Sequence, residues 1–320
     1  MNSEHERPTP MKPWISALAM GMAVAGCSRS EQDAGRQLAA PKAADKPAVA
    51  VVNYPLAYFA ERLSGGAVRV VFPAPPDSDP AHWQPSDDDI AAYQTADVIL
   101  LNGAGYGQWL QTATLPVDRM VDTSREFADS YLQQEQVVTH SHGPDGLHEH
   151  GGMDFNTWLD PLQAIQQARA VGDALQHVIP EAQPSVSARF AELSEDLMAL
   201  DASLAVASRS IGSRPLLASH PVYNYLARRY GWNLRSVHWD PDEAPLEAEW
   251  PELRELLRSH PARLMLWEDD PLPETVRGLG DLGITCVIFR PCGNRPGDGD
   301  YLSEMRANVT RLKRAAVSAP

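Results

Sequence analysis

Short apolar runs alternate with helix-period segments along most of this chain, and that alternation constrains its fold most. The stretch ADVILLN, residues 96–102, is an unbroken apolar run closed by Gly103. A run that is apolar on every position reads as a strand buried on both faces, as in a parallel sheet. Upstream, AVAVVNYPLAYFAERL begins β-branched and then turns helical, with Leu56, Phe59, Ala60 and Leu63 at helix spacing and Gly65-Gly66 as the stop. AVRVVFPAPP gives a second strand closed by prolines, and Ser86 before Asp87, Asp88 and Asp89 marks a helix start. Strands alternating with helices imply an α/β lobe with a parallel sheet.

The pattern breaks at Pro180 and Pro184. A long helix follows from Ser185 to about Arg209, with Phe190, Leu193, Leu197, Leu200 and Leu204 on one stripe. After Gly212 the alternation resumes through PLLASH, VYNYLARRYGW, LRSVHW, WPELRELLRSH, RLMLWE, TVRGLGDLG, TCVIFRP and a final helix YLSEMRANVTRLKRA. The expected architecture is α/β in two lobes, each a parallel sheet flanked by helices, joined by one long backbone helix. The expected organisation is an N-terminal lobe over 48–180, a linking helix over 181–210 and a C-terminal lobe over 211–320.

The N-terminus reads as a targeting segment over 1–27. Arg7 and Lys12 supply positive charge, and Trp14 to Ala25 is an apolar stretch too short to span a bilayer. Met11, with Lys12 beside it, makes a better start than Met1. Val24-Ala25-Gly26-Cys27 resembles a bacterial lipobox, so Cys27 is the expected lipidated first residue of a periplasmic or cell-surface protein. Residues 28–47 have the polar composition of a flexible tether. A formal charge of −15 argues against nucleic acid as a partner. Besides Cys27, the chain has only Cys286 and Cys292, which an oxidising compartment could pair.

The tract HSHGPDGLHEHGG packs His140, His142, His148 and His150 into a glycine-rich stretch within 139–152. It has no apolar period and reads as a mobile loop with metal affinity. Ligands in open α/β sheets bind just past the C-terminal ends of the strands. The metal-capable side chains expected there are His82, His220 and Glu268, with Asp269 and Asp270 following. Asp240, Asp242 and Glu243 stand after VHW. His82 and His220 belong to different lobes, so a site between them could close like a hinge. His238 reads as a strand residue packed in the core, and His177 and His260 as helix-end residues that complement the dipole.

Several segments, in order, resemble the zinc/manganese solute-binding proteins of ABC transporters. They are VVNYPLAYFAERLSGGAVRVVFPAPPDSDPAHWQPSDDDIAAYQTADVILLNGAGYGQWL, NTWLDPLQAIQQA, SHPVYNYLARRYGW and YLSEMRANVTRL. The likeness covers about residues 48–315 and implies metal held between two lobes, with an ABC permease as partner. It carries two ligand histidines onto His82 and His220. At the position of the family's middle histidine stands Asn156, and at that of its final Asp-Pro pair stands Arg290-Pro291. Three readings of this departure stand. Glu268 replaces a missing ligand, giving His82, His220 and Glu268, with Arg290 paired to Asp240, Asp242 or Glu243. Alternatively, the cargo has changed or the metal is lost. In the third, the histidine tract supplies most of the coordination. Ligand chemistry favours the first, with zinc ahead of manganese because histidines outnumber hard oxygen donors. The expected protein is a monomeric, lipid-anchored carrier of a divalent ion and not an enzyme. A metal-binding adhesin or sensor lipoprotein on the same scaffold is the alternative. A zinc hydrolase ranks last, since no HExxH helix is present.

Overall fold

The computed structural model describes residues 46–133, 138–141, 147–150 and 152–318. The expected targeting segment, Cys27 and most of the tether lie outside that set, as does His142. The described residues fall in one compact unit.

In its first half, β1 (Ala48–Val51) runs into α1 (Tyr54–Ser64), followed by β2 (Arg69–Val71), α2 (Asp87–Gln94), β3 (Val98–Leu101) and β4 (Met120–Asp122). The sheet is parallel in the order β2-β1-β3-β4. Its central strands are apolar throughout because helices cover both faces. Asn53 caps α1, its side chain accepting from the Leu56 amide at 3.2 Å, and Gly65 ends it at φ 56°. Ser86 and Asp89 form a reciprocal capping box at the start of α2. Strand β4 has no counterpart in the sequence reading, since its three residues sit at the edge and carry no apolar run.

The histidine tract departs from the expected loop. Its backbone forms an antiparallel pair, β5 (Val138–Ser141) with β6 (Leu147–His150), in a register that sets His140 opposite His148. The β-branched Val138 and Thr139 favour the strand that the glycine content obscured.

Two helices then cross the molecule, α3 (Pro161–Val178) and α4 (Gln183–Ile211). At 29 residues, α4 extends about 44 Å. It buries Leu193, Leu197, Leu200, Leu204 and Ile211 in one stripe. The second half alternates β7 (Pro215–Ala218), α5 (Asn224–Tyr230), β8 (Asn233–Ser236), α6 (Glu249–Ser259), β9 (Leu264–Trp267), α7 (Pro273–Asp281) and β10 (Thr285–Ile288). This sheet is also parallel, in the order β10-β9-β7-β8. The last helix, α8 (Tyr301–Ser318), packs along α4 and reaches α1.

One continuous core includes strands of both sheets together with α1, α4 and α8. Tyr301 carries much of this link. Its ring lies 5.6 Å from those of Tyr58 and Phe59, and its buried hydroxyl donates to the Trp158 carbonyl at 2.8 Å. The Trp158 indole donates in turn to the Pro291 carbonyl, also at 2.8 Å. This shared core packs the two sheets against common helices.

No helix among the described residues is long and apolar enough to cross a membrane. Cys286 and Cys292 are free thiols rather than a pair. Burial pushes them up to about 11 and about 12, respectively, which keeps both protonated and unreactive at neutral pH.

Candidate metal centre

The order of the second sheet reverses between β7 and β9, and His220 and Glu268 stand just past those two strands. Such a reversal opens a crevice at the strand ends. The His220 segment is pinned from both sides, with Ser219 N–H on the Leu266 carbonyl at 2.8 Å and Trp239 N–H on the Ser219 carbonyl at 2.9 Å. The second contact brings the chain after β8 alongside, delivering Asp240. Leu272 N–H bonds the Pro241 carbonyl at 3.1 Å and fixes that segment to the chain after β9.

His82 arrives from the other half, on the loop between β2 and α2. Asp79 shapes that loop, accepting the Ala81 amide on one carboxylate oxygen at 2.9 Å and the His82 Nδ1 on the other at 2.7 Å. The Asn294 amide, from the segment before α8, donates to the carbonyls of Pro75 and Ser78 at 2.7 and 2.8 Å. The His82 loop is thereby strapped to the second half. The Phe155 ring meets the His82 ring edge-on at 6.2 Å, and the Phe155 carbonyl accepts from buried Asn102 at 2.9 Å.

Around His220, the Glu268 carboxylate lies 3.3 Å from Nδ1 and Asp240 Oδ1 lies 3.6 Å from Nε2. Burial pulls the His220 pKa down, but the Glu268 hydrogen bond and the charges of Glu268, Asp240 and Asp79 outweigh it, and the net shift is upward. The hydrogen bond to Asp79 raises His82 against the opposing effect of burial, with the Glu268 charge adding to it and the charge of His220 acting against. Both rings thus feel each other and the same carboxylates. Two imidazoles with adjacent carboxylates are a donor set that suits a borderline divalent cation. Among the described residues, no three such side chains already stand at the spacing of a closed metal site.

The two departures from the family pattern are each accounted for. The backbone and side-chain amides of Asn156 both donate to Asp154 Oδ1, at 2.9 and 3.2 Å, so this buried residue is committed to its own turn. Arg290 does not pair with Asp240, Asp242 or Glu243 as expected. It pairs with Asp269 and Asp270, each at 2.6 Å, with Glu304 at 3.8 Å. Those acids follow β9 directly and lie nearer to the end of β10, where Arg290 sits.

His238 lies past the end of β8, not within it, and its ring stands 6.0 Å from that of His220. His260 is buried against the Leu216 carbonyl at 2.8 Å, and His177 contacts the Asp173 carbonyl at 2.7 Å; both are structural. Sequence reasoning missed Asp79 altogether. The signal was its place three residues before His82, within reach of a ring nitrogen across one turn.

A family model described as zinc-uptake complex component A, periplasmic, matches residues 49–315. The zinc-binding lipoprotein AdcA of Streptococcus pneumoniae is 24% identical over 273 residues, covering 82% of this chain and 54% of its own length. The chain thus spans about half the length of that curated relative. Among solved structures, Zn(II)-bound AdcA from Streptococcus pneumoniae has a TM-score of 0.71 at 21% identity, covering 86% of this chain and 59% of that one. The metal-dependent lipoprotein YcdH from Bacillus subtilis has a TM-score of 0.71 at 19% identity, covering 84% of this chain and 98% of that one. These likenesses share the fold of two parallel sheets and a long joining helix. The chain belongs to the zinc-uptake complex component A family of periplasmic proteins.

Proposed function

We propose that this protein captures a divalent metal ion, zinc by preference, outside the inner membrane and delivers it to an ABC permease. One observation carries the reading. His82 and His220 come from loops of two different sheets, yet each presents one ring nitrogen to a carboxylate within a shared electrostatic environment. A carboxylate on one imidazole nitrogen fixes the tautomer and makes the other nitrogen a better metal donor. Zinc is preferred to manganese because imidazole donors suit it better than hard oxygen sites do. Capture brings the donors together by side-chain rotation, with Glu268 beside them, rather than by swinging one sheet onto the other. The family relationship and the zinc-binding relatives support the same reading.

Carriage places no demand for a reacting substrate on this site, so the protein acts as a binding component. The lipobox-like Val24-Ala25-Gly26-Cys27 supports anchoring through a lipidated Cys27.

Zinc titration of the purified protein by calorimetry, with His82→Ala and His220→Ala alongside, tests the reading. One tight site, lost in either variant while the fold persists, is the expected result. Tight binding retained in both variants overturns it.

A further inference from the structure

We infer that Asp240 is the carboxylate donor of the cargo site, while Glu268 and Asp79 act through the histidines as positioning residues. This rests on the proposed carrier function and assigns roles within the same site. The two nitrogens of an imidazole point away from each other, so one ring cannot use both on a single metal ion. Metal-binding histidines commonly give the second nitrogen to a carboxylate. His220 has a carboxylate on each side, Glu268 at Nδ1 and Asp240 at Nε2, and the nitrogen each faces separates their roles. Glu268, 3.3 Å from Nδ1, takes the nitrogen that Asp79 takes on His82 and braces the ring. At 3.6 Å, Asp240 is beyond an ordinary hydrogen bond. It matches the edge of a tetrahedron of donors around one zinc ion, about 3.4 Å for metal–ligand distances near 2.0–2.1 Å.

His82 gives the same division. Its Nδ1 is bound to Asp79 at 2.7 Å, so its donor toward a metal is Nε2. Each ring thus has a bracing carboxylate on Nδ1, and Asp240 stands on the Nε2 side of His220. The loop geometry holds Asp240 there through the Trp239 and Pro241 backbone bonds.

Charge points the same way. Arg290 occupies the position where the family resemblance placed a carboxylate, and it is paired with Asp269 and Asp270. A site of two neutral imidazoles would lack an anionic donor without a replacement. Asp240, on the chain after β8, supplies one from a different strand end.

The test uses the purified protein with zinc and with cobalt(II) as the probe ions. Asp240→Asn and Asp240→Ala are compared with Glu268→Gln. Loss of a bracing carboxylate typically weakens binding about 10–100-fold. Glu268→Gln should fall in that range and leave the ligand-field spectrum of bound cobalt(II) unchanged in shape. Asp240→Ala should weaken zinc by about 100-fold or more and change that spectrum. Asp240→Asn keeps the side-chain shape, so a loss there with an unaltered melting curve separates lost coordination from misfolding. Zinc affinity of Asp240→Ala within about threefold of the parent overturns the inference. So does a cobalt(II) spectrum altered by Glu268→Gln but not by Asp240→Ala. Either result leaves the carrier reading intact, because that reading stands or falls on His82→Ala and His220→Ala.

Discussion

Arg290 donates to a single carboxylate oxygen of Asp269 through two nitrogens, Nε at 3.0 Å and Nη2 at 2.6 Å. Its backbone is held as well, its amide donating to Asn308 Oδ1 at 2.9 Å and its carbonyl accepting from Asn308 Nδ2 at 2.8 Å. A fixed cation close to a metal site would repel the cargo, and this arrangement neutralises it against acids next to Glu268. Arg290→Ala should therefore leave zinc affinity within about threefold. The acids it pairs with are well exposed, so its loss should cost only about 1 kcal/mol. Arg290→Asp should destabilise more, since it adds a carboxylate beside Asp269, Asp270 and Glu304. Calorimetric titration and thermal melts of the two variants check both statements.

Asp79 reaches His82 over one turn, and its removal is the simplest probe of bracing from the first sheet. Asp79→Asn keeps an acceptor for the Ala81 amide but loses the charge facing Nδ1. Zinc affinity should drop about 10–100-fold with no change in stoichiometry. An unchanged affinity would mean that the 2.7 Å contact only shapes the loop.

The Tyr301 hydroxyl ties the last helix to the Trp158 carbonyl inside the shared core. Tyr301→Phe keeps the ring contacts and removes that donor, leaving a buried carbonyl without it. The expected cost is about 1–3 kcal/mol. Each kcal/mol lowers Tm by about 2–4 °C in a protein of this size. A melt that moves by less than a degree would show that the halves do not depend on this bond.

Much of the fold could be read from particular residues. Gly65, the Ser86–Asp89 cap and the all-apolar run at Val98–Leu101 are local signals with local causes, and each element formed where its signal stood. Strand β4 and the β5–β6 pairing were not legible. The first has three residues at a sheet edge, and the second buries its strand tendency among glycines and histidines. At the site, His82, His220 and Glu268 could be picked out because they follow strands. Arg290's partner could not, since the choice between acids after β8 and after β9 depends on the lateral order of the strands. The roles of Asp79 and Asp240 depend on ring orientation, which no spacing rule specifies. The packing of α8 along α4 and onto α1 was likewise not legible, because it is long-range and leaves no local mark.

The histidine hairpin lies outside the proposed ligand set. Its backbone register sets His140 opposite His148, and a histidine-rich tract of this composition can bind metal. Deleting residues 138–150 should leave one tight zinc site and remove only weaker binding at higher zinc. Loss of the tight site on deletion would move the cargo ligands into the tract.

Asp154 supplies a pH signature away from the proposed ligands. It is fully buried, and among the described residues its Oδ2 has no hydrogen-bond partner. Burial pushes its pKa up to about 6 from 3.8, against the opposing influence of the Asn156 hydrogen bonds and the Arg228 charge. A carboxyl raised on folding holds a proton in the native state that the unfolded chain has already released. Native stability from this group is therefore greatest below about pH 4 and declines as pH rises toward 6. Above that, the cost levels off at no more than about 3 kcal/mol, from roughly 1.4 kcal/mol per pKa unit. Asp154→Asn carries no such charge. Relative to the parent, it should gain about 1–3 kcal/mol at pH 7–8 and little below pH 4, since its amide finds no better partners than the carboxylate did. Denaturant unfolding of both proteins from pH 4 to pH 8 gives the difference curve. A flat difference across that range would place the native pKa of Asp154 near its ordinary value.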